Sequence, residues 1–208
     1  MVGMNLYLRR RVLNTFNLGV SVLTTMFGLF WLAWLLWTLV SRGLRYIDVD
    51  LFVQNTPPPV SAGGMANALV GSLLLTLVGV VVGTPIGILA ATWLAEFGRY
   101  SRIAAVIRFL NDILLSAPSI VIGVFIYAVV VVPLGHFSGW AGGLSLAVIM
   151  LPVVLRTTED MLKLVPDQMR EAAAALGAPQ WKVVVSVVYR ASLGGILTGL
   201  LLGVARIS

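Results

Sequence analysis

Long uncharged stretches alternate with short charged segments along this chain. A helix that crosses a membrane needs about 20 apolar residues, because backbone polar groups cannot stay unpaired in hydrocarbon. The stretches that reach or approach this length predict five spans: Leu18–Val40, one within Ser61–Ala95, Ile113–Val132, Ala141–Leu155 and Ala191–Ala205. The fourth is short, the fifth is only just long enough, and Pro133-Leu134-Gly135-His136 separates the third from the fourth. The pattern therefore predicts an all-α, polytopic membrane protein.

Composition supports this prediction and narrows the chemistry. Of the 208 residues, 59% are hydrophobic and 11% are charged, whereas soluble domains carry about a quarter charged residues. Cysteine is absent from the sequence, which excludes disulfide bonds and thiol chemistry. His136 is the only histidine and has no plausible carboxylate or metal-ligand partner near it in sequence. Sequence motifs for nucleotide hydrolysis, zinc proteolysis or a serine nucleophile are also missing, so we expect a non-catalytic protein without cofactor or metal.

The net charge of +6 reflects topology rather than nucleic-acid binding. If the spans alternate, 11 of the 14 basic residues lie on one side of the membrane. These are Arg9, Arg10, Arg11, Arg99, Arg102, Arg108, Arg156, Lys163, Arg170, Lys182 and Arg190. Because basic residues favour the cytoplasmic side, the N-terminus is predicted to be cytoplasmic. The first span could instead be a cleaved signal peptide, but its 23 apolar residues and poor cleavage site favour a retained anchor.

Proline and glycine suggest how the chain is divided. Residues 1–64 are interpreted as a cytosolic tail, the first span and an external linker, in which Pro57-Pro58-Pro59 favours an extended segment. Residues 65–208 form the predicted core. Glycines between Gly79 and Gly87 favour close helix packing over a ligand site, and Pro85 predicts a bend.

The third span carries two further signals. We expect Asn111-Asp112 to cap its start, and we expect Pro118 to kink it. A static kink is favoured over a gating hinge.

The segment 156–190 is the most highly charged part of the chain. Pro166 favours a helix start, so Gln168–Leu176 is predicted to be helical and Gly177 to end that helix. Pro179 predicts a second helix, which runs through Val188. On physical grounds alone, a helix lying on lipid headgroups accounts for this segment about as well as a partner-binding loop does.

Glu171-Ala172-Ala173, followed by Gly177, resembles the EAA loop of ABC importer permeases. The resemblance covers about residues 63–208 and is closest to the A-type permease subunits of bacterial phosphate importers. The segments that carry it are Gly63–Ala68, Ala117–Val121, Leu151–Met161, Leu164–Pro166, Arg190–Ser192 and Gly195–Gly199. That family continues with a Gly-Glu-Thr motif and a sixth span, which this sequence does not contain.

The resemblance implies a type I ABC importer permease fold and a phosphate-importing role in the bacterial plasma membrane. The implied partners are cytosolic ABC ATPase subunits, a second homologous permease, an external phosphate-binding protein and membrane lipid, with no nucleic acid. The implied ATPase-coupling residues are Arg170, Glu171, Ala172, Ala173 and Gly177. Alternatives are a permease for molybdate or sulfate, a secondary transporter or channel, and a non-transporting scaffold.

Two arginines are candidates for the substrate path. A partly dehydrated oxyanion favours planar donors that stay charged, and Arg156 and Arg206 close the fourth and fifth predicted spans. By the predicted topology they lie on opposite sides of the membrane, as successive stations. The alternative for each arginine is that its charged group reaches out to lipid headgroups. The resemblance to the phosphate importers favours a role in the anion path about as strongly as that alternative.

Overall fold

A computed structural model describes residues 2–58, 61 and 63–208. The chain divides into two compact units, one ending at Ala66 and the other comprising Asn67–Ser208. The first unit contains α1 (Val2–Gly43), a 3-10 turn (Leu44–Tyr46) and α2 (Val49–Val53). The predicted first span is confirmed within the 42-residue α1, whose side chains from Leu6 onward are almost all exposed. The predicted linker includes Pro59, which lies outside the described residues.

The second unit is a bundle of helices. Its elements are α3 (Ala66–Thr92), which begins at the end of the first unit, a π turn (Trp93–Phe97), α4 (Arg102–Ser116), α5 (Ser119–Ile126), a π turn (Tyr127–Val131), α6 (Val132–Leu134), α7 (Gly139–Lys163), α8 (Asp167–Ala175), α9 (Gln180–Val183), a π turn (Val184–Val188) and α10 (Tyr189–Ile207). Within the described residues, four helices are long and apolar enough to cross a membrane, or five if one bent pair counts as a span. No strand occurs among these residues.

The third predicted span, Ile113–Val132, runs from the end of α4 through α5 and the following π turn into α6. The expected kink at Pro118 is confirmed, and it is sharp: the helical parts Arg102–Ser116 and Ser119–Leu134 meet at 107°. Pro118 causes the break, because it lacks an N–H and forces Ala117 into an extended conformation (ψ 133°). Asn111 does not cap a helix, since α4 begins earlier, where the Ser101 hydroxyl accepts from the Ala104 N–H at 3.1 Å.

The helices that correspond to the fourth and fifth predicted spans extend further than predicted at the ends that face α8 in the sequence. α7 continues past Leu155 to Lys163, so Arg156 lies within a helix and not in a loop. The predicted second loop helix and fifth span are one helical segment, Gln180–Ile207. The connection between the long helices is therefore shorter than the predicted 156–190 segment.

Glycines allow α3 and α10 to pack closely on α7. A Cβ added at Gly83 would lie 3.0 Å from the Ala147 carbonyl oxygen, and one added at Gly87 would lie 3.0 Å from Val154 Cγ1. On α10, a Cβ at Gly203 would lie 3.1 Å from Met150. The expectation of close helix packing is confirmed, and α3 stays helical through Pro85.

Candidate functional site

The charged connection between α7 and α9 is built around α8. Pro166, with ψ 140°, precedes the first helical residue. At the other end, the Gly177 N–H donates to the Ala174 carbonyl at 2.9 Å and the Ala178 N–H donates to the Ala173 carbonyl at 3.4 Å. This is a Schellman motif, and it requires the left-handed Gly177, whose φ is 78°. The predicted helix and its glycine stop are confirmed.

One face of α8 is open and partly apolar. Glu171 and Ala172 are exposed, and the described residues contain no ion pair to Glu171. Leu176 is 89% exposed, and Met169 is also exposed.

Arg170 faces the opposite way, into the protein. A guanidinium has five N–H donors, and each of the five has an acceptor. Nε and Nη2 donate to the two carboxylate oxygens of Glu96, at 3.2 and 2.7 Å. Nη2 also donates to the Leu162 carbonyl at 2.8 Å, and Nη1 donates to the Val165 carbonyl and to Asp167 Oδ1. The hydrogen bonds that Arg170 donates to Glu96 raise the pKa of Arg170, although burial opposes the rise.

Glu96 joins the ends of three helices and was missed from the sequence. Its side chain is 6% exposed, and it lies in the π turn that ends α3. Its backbone carbonyl accepts from Gln180 Nε2 at 3.2 Å, at the start of α9. The only signal in the sequence is that Glu96 is the first charge after Asp50, at the end of a 45-residue uncharged stretch.

A second buried carboxylate fixes α4 to α7. Glu159 Oε1 lies 2.7 Å from Arg108 Nε and 2.6 Å from Lys163 Nζ, and the Glu159 side chain is 1% exposed. Arg108 also donates to the Leu94 carbonyl at 3.0 Å, at the end of α3. The triad was not predicted: Glu159 and Lys163 are four residues apart on α7, but Arg108 is 51 residues from Glu159 and no spacing links it to the pair.

The two candidate arginines come together at the last turn of α4. Arg156 Nη1 lies 3.4 Å from Asp112 Oδ1, and Arg156 Nε lies 3.2 Å from Asp160 Oδ2. Arg206 Nη2 donates to the Leu115 carbonyl at 3.3 Å. That carbonyl is among those that α4 leaves unpaired where it ends. The expectation that these arginines lie on opposite sides of the membrane is therefore wrong.

Arg206 lies deep along the bundle. Its neighbour Ile207 packs with Met150, and Gly203 also lies against Met150. Met150 is 11 residues from Gly139, the start of α7, which corresponds to about 16 Å along the helix. The helix α7 continues for a further 13 residues beyond Met150 to Lys163, so Arg206 lies beside the middle of α7 and not at either of its ends. Its side chain is exposed on the surface of this chain.

Together, the helices long enough to span a membrane and the open charged helix at one end define a polytopic membrane protein of the permease class. The chain belongs to the family of binding-protein-dependent transport system inner membrane components, whose model matches residues 83–207. The predictions of family, of an all-α permease fold and of a multi-pass inner-membrane protein are confirmed.

Relatives with printed functions are similar over most of the chain. The phosphate transport system permease protein PstA of Xylella fastidiosa (strain Temecula1) is 57% identical over 98% of this chain and 71% of its own length. The protein of the same name from Haemophilus influenzae is 55% identical over 96% of this chain and 71% of its own length. Phosphate transport system permease protein PstA 1 of Mycobacterium tuberculosis is 42% identical over 72% of this chain and 49% of its own length.

A solved structure supports the fold. The MetNI methionine ABC transporter in an inward-facing conformation matches with a TM-score of 0.56 and 22% identity, over 67% of this chain and 65% of the matched chain. At this identity the likeness bears on the fold alone.

Proposed function

We propose that this chain is a permease subunit of an ATP-driven importer for inorganic phosphate in the bacterial plasma membrane. Support comes from the relatives that are named phosphate permeases and are 55–57% identical over nearly the whole chain. The chain itself is non-catalytic in this proposal. It forms the pathway with a second homologous permease and receives phosphate from an external binding protein.

The ATPase binds the exposed face of α8 in this proposal. Glu171 provides a carboxylate that has no ion pair among the described residues, and Ala172 and Ala173 keep the helix slim enough to enter a groove. Gly177 ends the helix sharply, so that the chain turns back into the membrane. Arg170 has a different role from its neighbours, because all five of its donors are already used within the chain. With the basic residues and α8 on the cytosolic side, the N-terminus is cytoplasmic.

The position of Arg206 is the main support for an anion path along this chain. A charged side chain near mid-depth is costly against lipid, so it faces protein or water. Arg206 is exposed on this chain and, among the described residues, makes one side-chain hydrogen bond, to a carbonyl. Its remaining donors suit a phosphate oxyanion in a pathway shared with the second permease.

Arg156 is the second contact for the anion in this proposal, and its acidic neighbours control when it can bind one. Asp112 and Asp160 both lie within ion-pair distance of its guanidinium, so the three groups carry a net negative charge. An anion is repelled there until Arg156 separates from at least one carboxylate. Arg156 therefore belongs to a later step of transport, after the helices move.

Phosphate uptake by cells that depend on this complex tests the proposal. We expect Arg206→Ala to abolish uptake, and Arg206→Lys to restore only part of it, because lysine keeps the charge and loses the planar pair of donors. Arg99→Gln, which removes an exposed arginine with a 3.6 Å ion pair, is the matched control and should leave uptake unchanged.

Four results would overturn the proposal or a part of it. Normal uptake in Arg206→Ala removes this residue from the path. Uptake of molybdate or sulfate in preference to phosphate means a permease for another anion. Uptake that persists when the ATPase is inactivated means a secondary transporter or channel, and no uptake of any solute means a scaffold.

A further inference from the structure

The helix α8 is attached to its neighbours by short non-helical connections. Leu164–Pro166 joins it to α7, and Leu176–Pro179 joins it to α9. A partner that pushed on the exposed face of α8 could bend these connections and leave the membrane helices in place. Transmission of a push therefore requires side-chain contacts that hold α8 against the long helices.

Arg170 makes those contacts. Its carbonyl acceptors, Leu162 and Val165, hold α8 to the end of α7. Its carboxylate acceptor, Glu96, holds α8 to the end of α3 through a two-point pair. Both side chains are largely buried, with 18% of Arg170 and 6% of Glu96 exposed. Buried two-point pairs between arginine and carboxylate fix orientation as well as distance.

Two further contacts carry the connection from this pair toward the membrane. Gln180 binds the Glu96 backbone carbonyl and so adds the start of α9 to the same cluster. About one turn before Glu96, the hydroxyls of Thr92 and Tyr189 lie 2.7 Å apart and join α3 to α10. Above these contacts, α3 packs against α7 at Gly83 and Gly87, so a displacement of its cytosolic end reaches the core of the bundle.

We propose that Glu96 is a positioning residue that passes the movement of α8 to α3, so that α8 and the end of α3 move as one body. The inference rests on the proposed function, because it assumes an ATPase that acts on α8. Glu96 touches neither ATP nor the transported solute; it acts through Arg170. When Glu96 lacks its carboxylate, the ATPase still binds the exposed face of α8. Its push then bends the non-helical connections and does not move α3.

The purified complex in proteoliposomes tests this inference through the amount of phosphate transported per ATP hydrolysed. We expect Glu96→Gln to retain its ATPase subunits and to hydrolyse ATP within about twofold of wild type, with transport per ATP reduced at least tenfold. Glu96→Asp keeps the charge and should recover part of the ratio. Asp167→Asn is the control, because it removes the exposed carboxylate on Arg170 and leaves the Glu96 pair intact, and its ratio should match wild type.

Other outcomes overturn the inference or the proposed function, and they can be told apart. An unchanged ratio in Glu96→Gln overturns the inference, and so do hydrolysis and transport that fall together, which indicate a merely structural role. A wild-type complex that hydrolyses ATP and imports a different solute overturns the phosphate assignment alone, and the ratio is then measured with that solute. A wild type that couples ATP to no transport overturns both.

A distance measurement keeps the inference falsifiable if Glu96→Gln assembles poorly. The chain contains no cysteine, so spin labels can be placed at Ala175→Cys on α8 and Leu89→Cys on α3 without background from this chain. Between nucleotide-free and ATP-bound wild-type complexes, the label distance should stay constant, and in Glu96→Asp it should broaden. A wild-type distance that changes with nucleotide would show that α8 and α3 move independently.

Discussion

Glu159 provides the sharpest test of how α4 is held to α7. Its buried carboxylate contacts both Arg108 and Lys163. Removing one partner from a fully buried ion pair costs about 3–5 kcal/mol. In Glu159→Gln the cations that remain are 25% and 37% exposed, so water partly compensates for the loss. We therefore expect a cost of about 2 kcal/mol, which lowers the midpoint of thermal unfolding by roughly 4–8 °C for a chain of this size.

Thermal unfolding of the purified protein in detergent, followed by fluorescence, measures this change. Arg99→Gln serves as the control, because its ion pair with Asp167 spans 3.6 Å between side chains that are 43% and 62% exposed. Exposed pairs contribute roughly 0–1 kcal/mol, so the control should unfold close to wild type. If Glu159→Gln also unfolds within about 1 °C of wild type, the triad does not hold α4 to α7 and the reasoning is refuted.

Two glycine substitutions test the packing and the helix stop. Gly83→Ala should destabilise the protein by about 1–3 kcal/mol, because the new Cβ meets the Ala147 backbone and the helices must separate. Gly194→Ala, where a Cβ meets nothing within 4 Å, should instead be neutral or stabilising in thermal unfolding, and equal behaviour of the two variants would contradict close packing. Gly177→Ala should cost about 1–2 kcal/mol because alanine disfavours the left-handed conformation, and amide exchange at Ala178 should speed up about tenfold or more, with Gly177→Asn affected less. Unchanged exchange in Gly177→Ala would show that the Schellman motif does not depend on glycine.

The parts of the fold that depend on local chemistry were predictable from the sequence. Apolar length is enough to place α1, α3, α7 and α10, because the bilayer imposes the same requirement on every span. The α8 helix and its stop follow from Pro166 and Gly177, whose conformational preferences act within a few residues. The exposed face of α8 follows from the same segment.

The errors arose where tertiary contacts decide the outcome. Pro118 predicts a kink within Ile113–Val132, but the size of the bend, 107°, depends on how α5 packs against the rest of the bundle. Alternating topology placed Arg156 and Arg206 on opposite sides, whereas both contact α4 close to its C-terminal end. Glu96 was missed because Arg170 is 74 residues away, and the contact between Glu159 and Arg108 was missed because 51 residues separate them.

Reconstituted transport is the most direct measurement of the central claim. Radiolabelled phosphate uptake would be followed in proteoliposomes that contain the complete complex, with the binding protein on one side and ATP on the other. We expect uptake that requires ATP hydrolysis and that excess sulfate or molybdate does not inhibit. We also expect Arg206→Ala to abolish this uptake. Uptake without ATP, or a preference for another anion, would contradict the claim that this chain is a subunit of an ATP-driven phosphate importer.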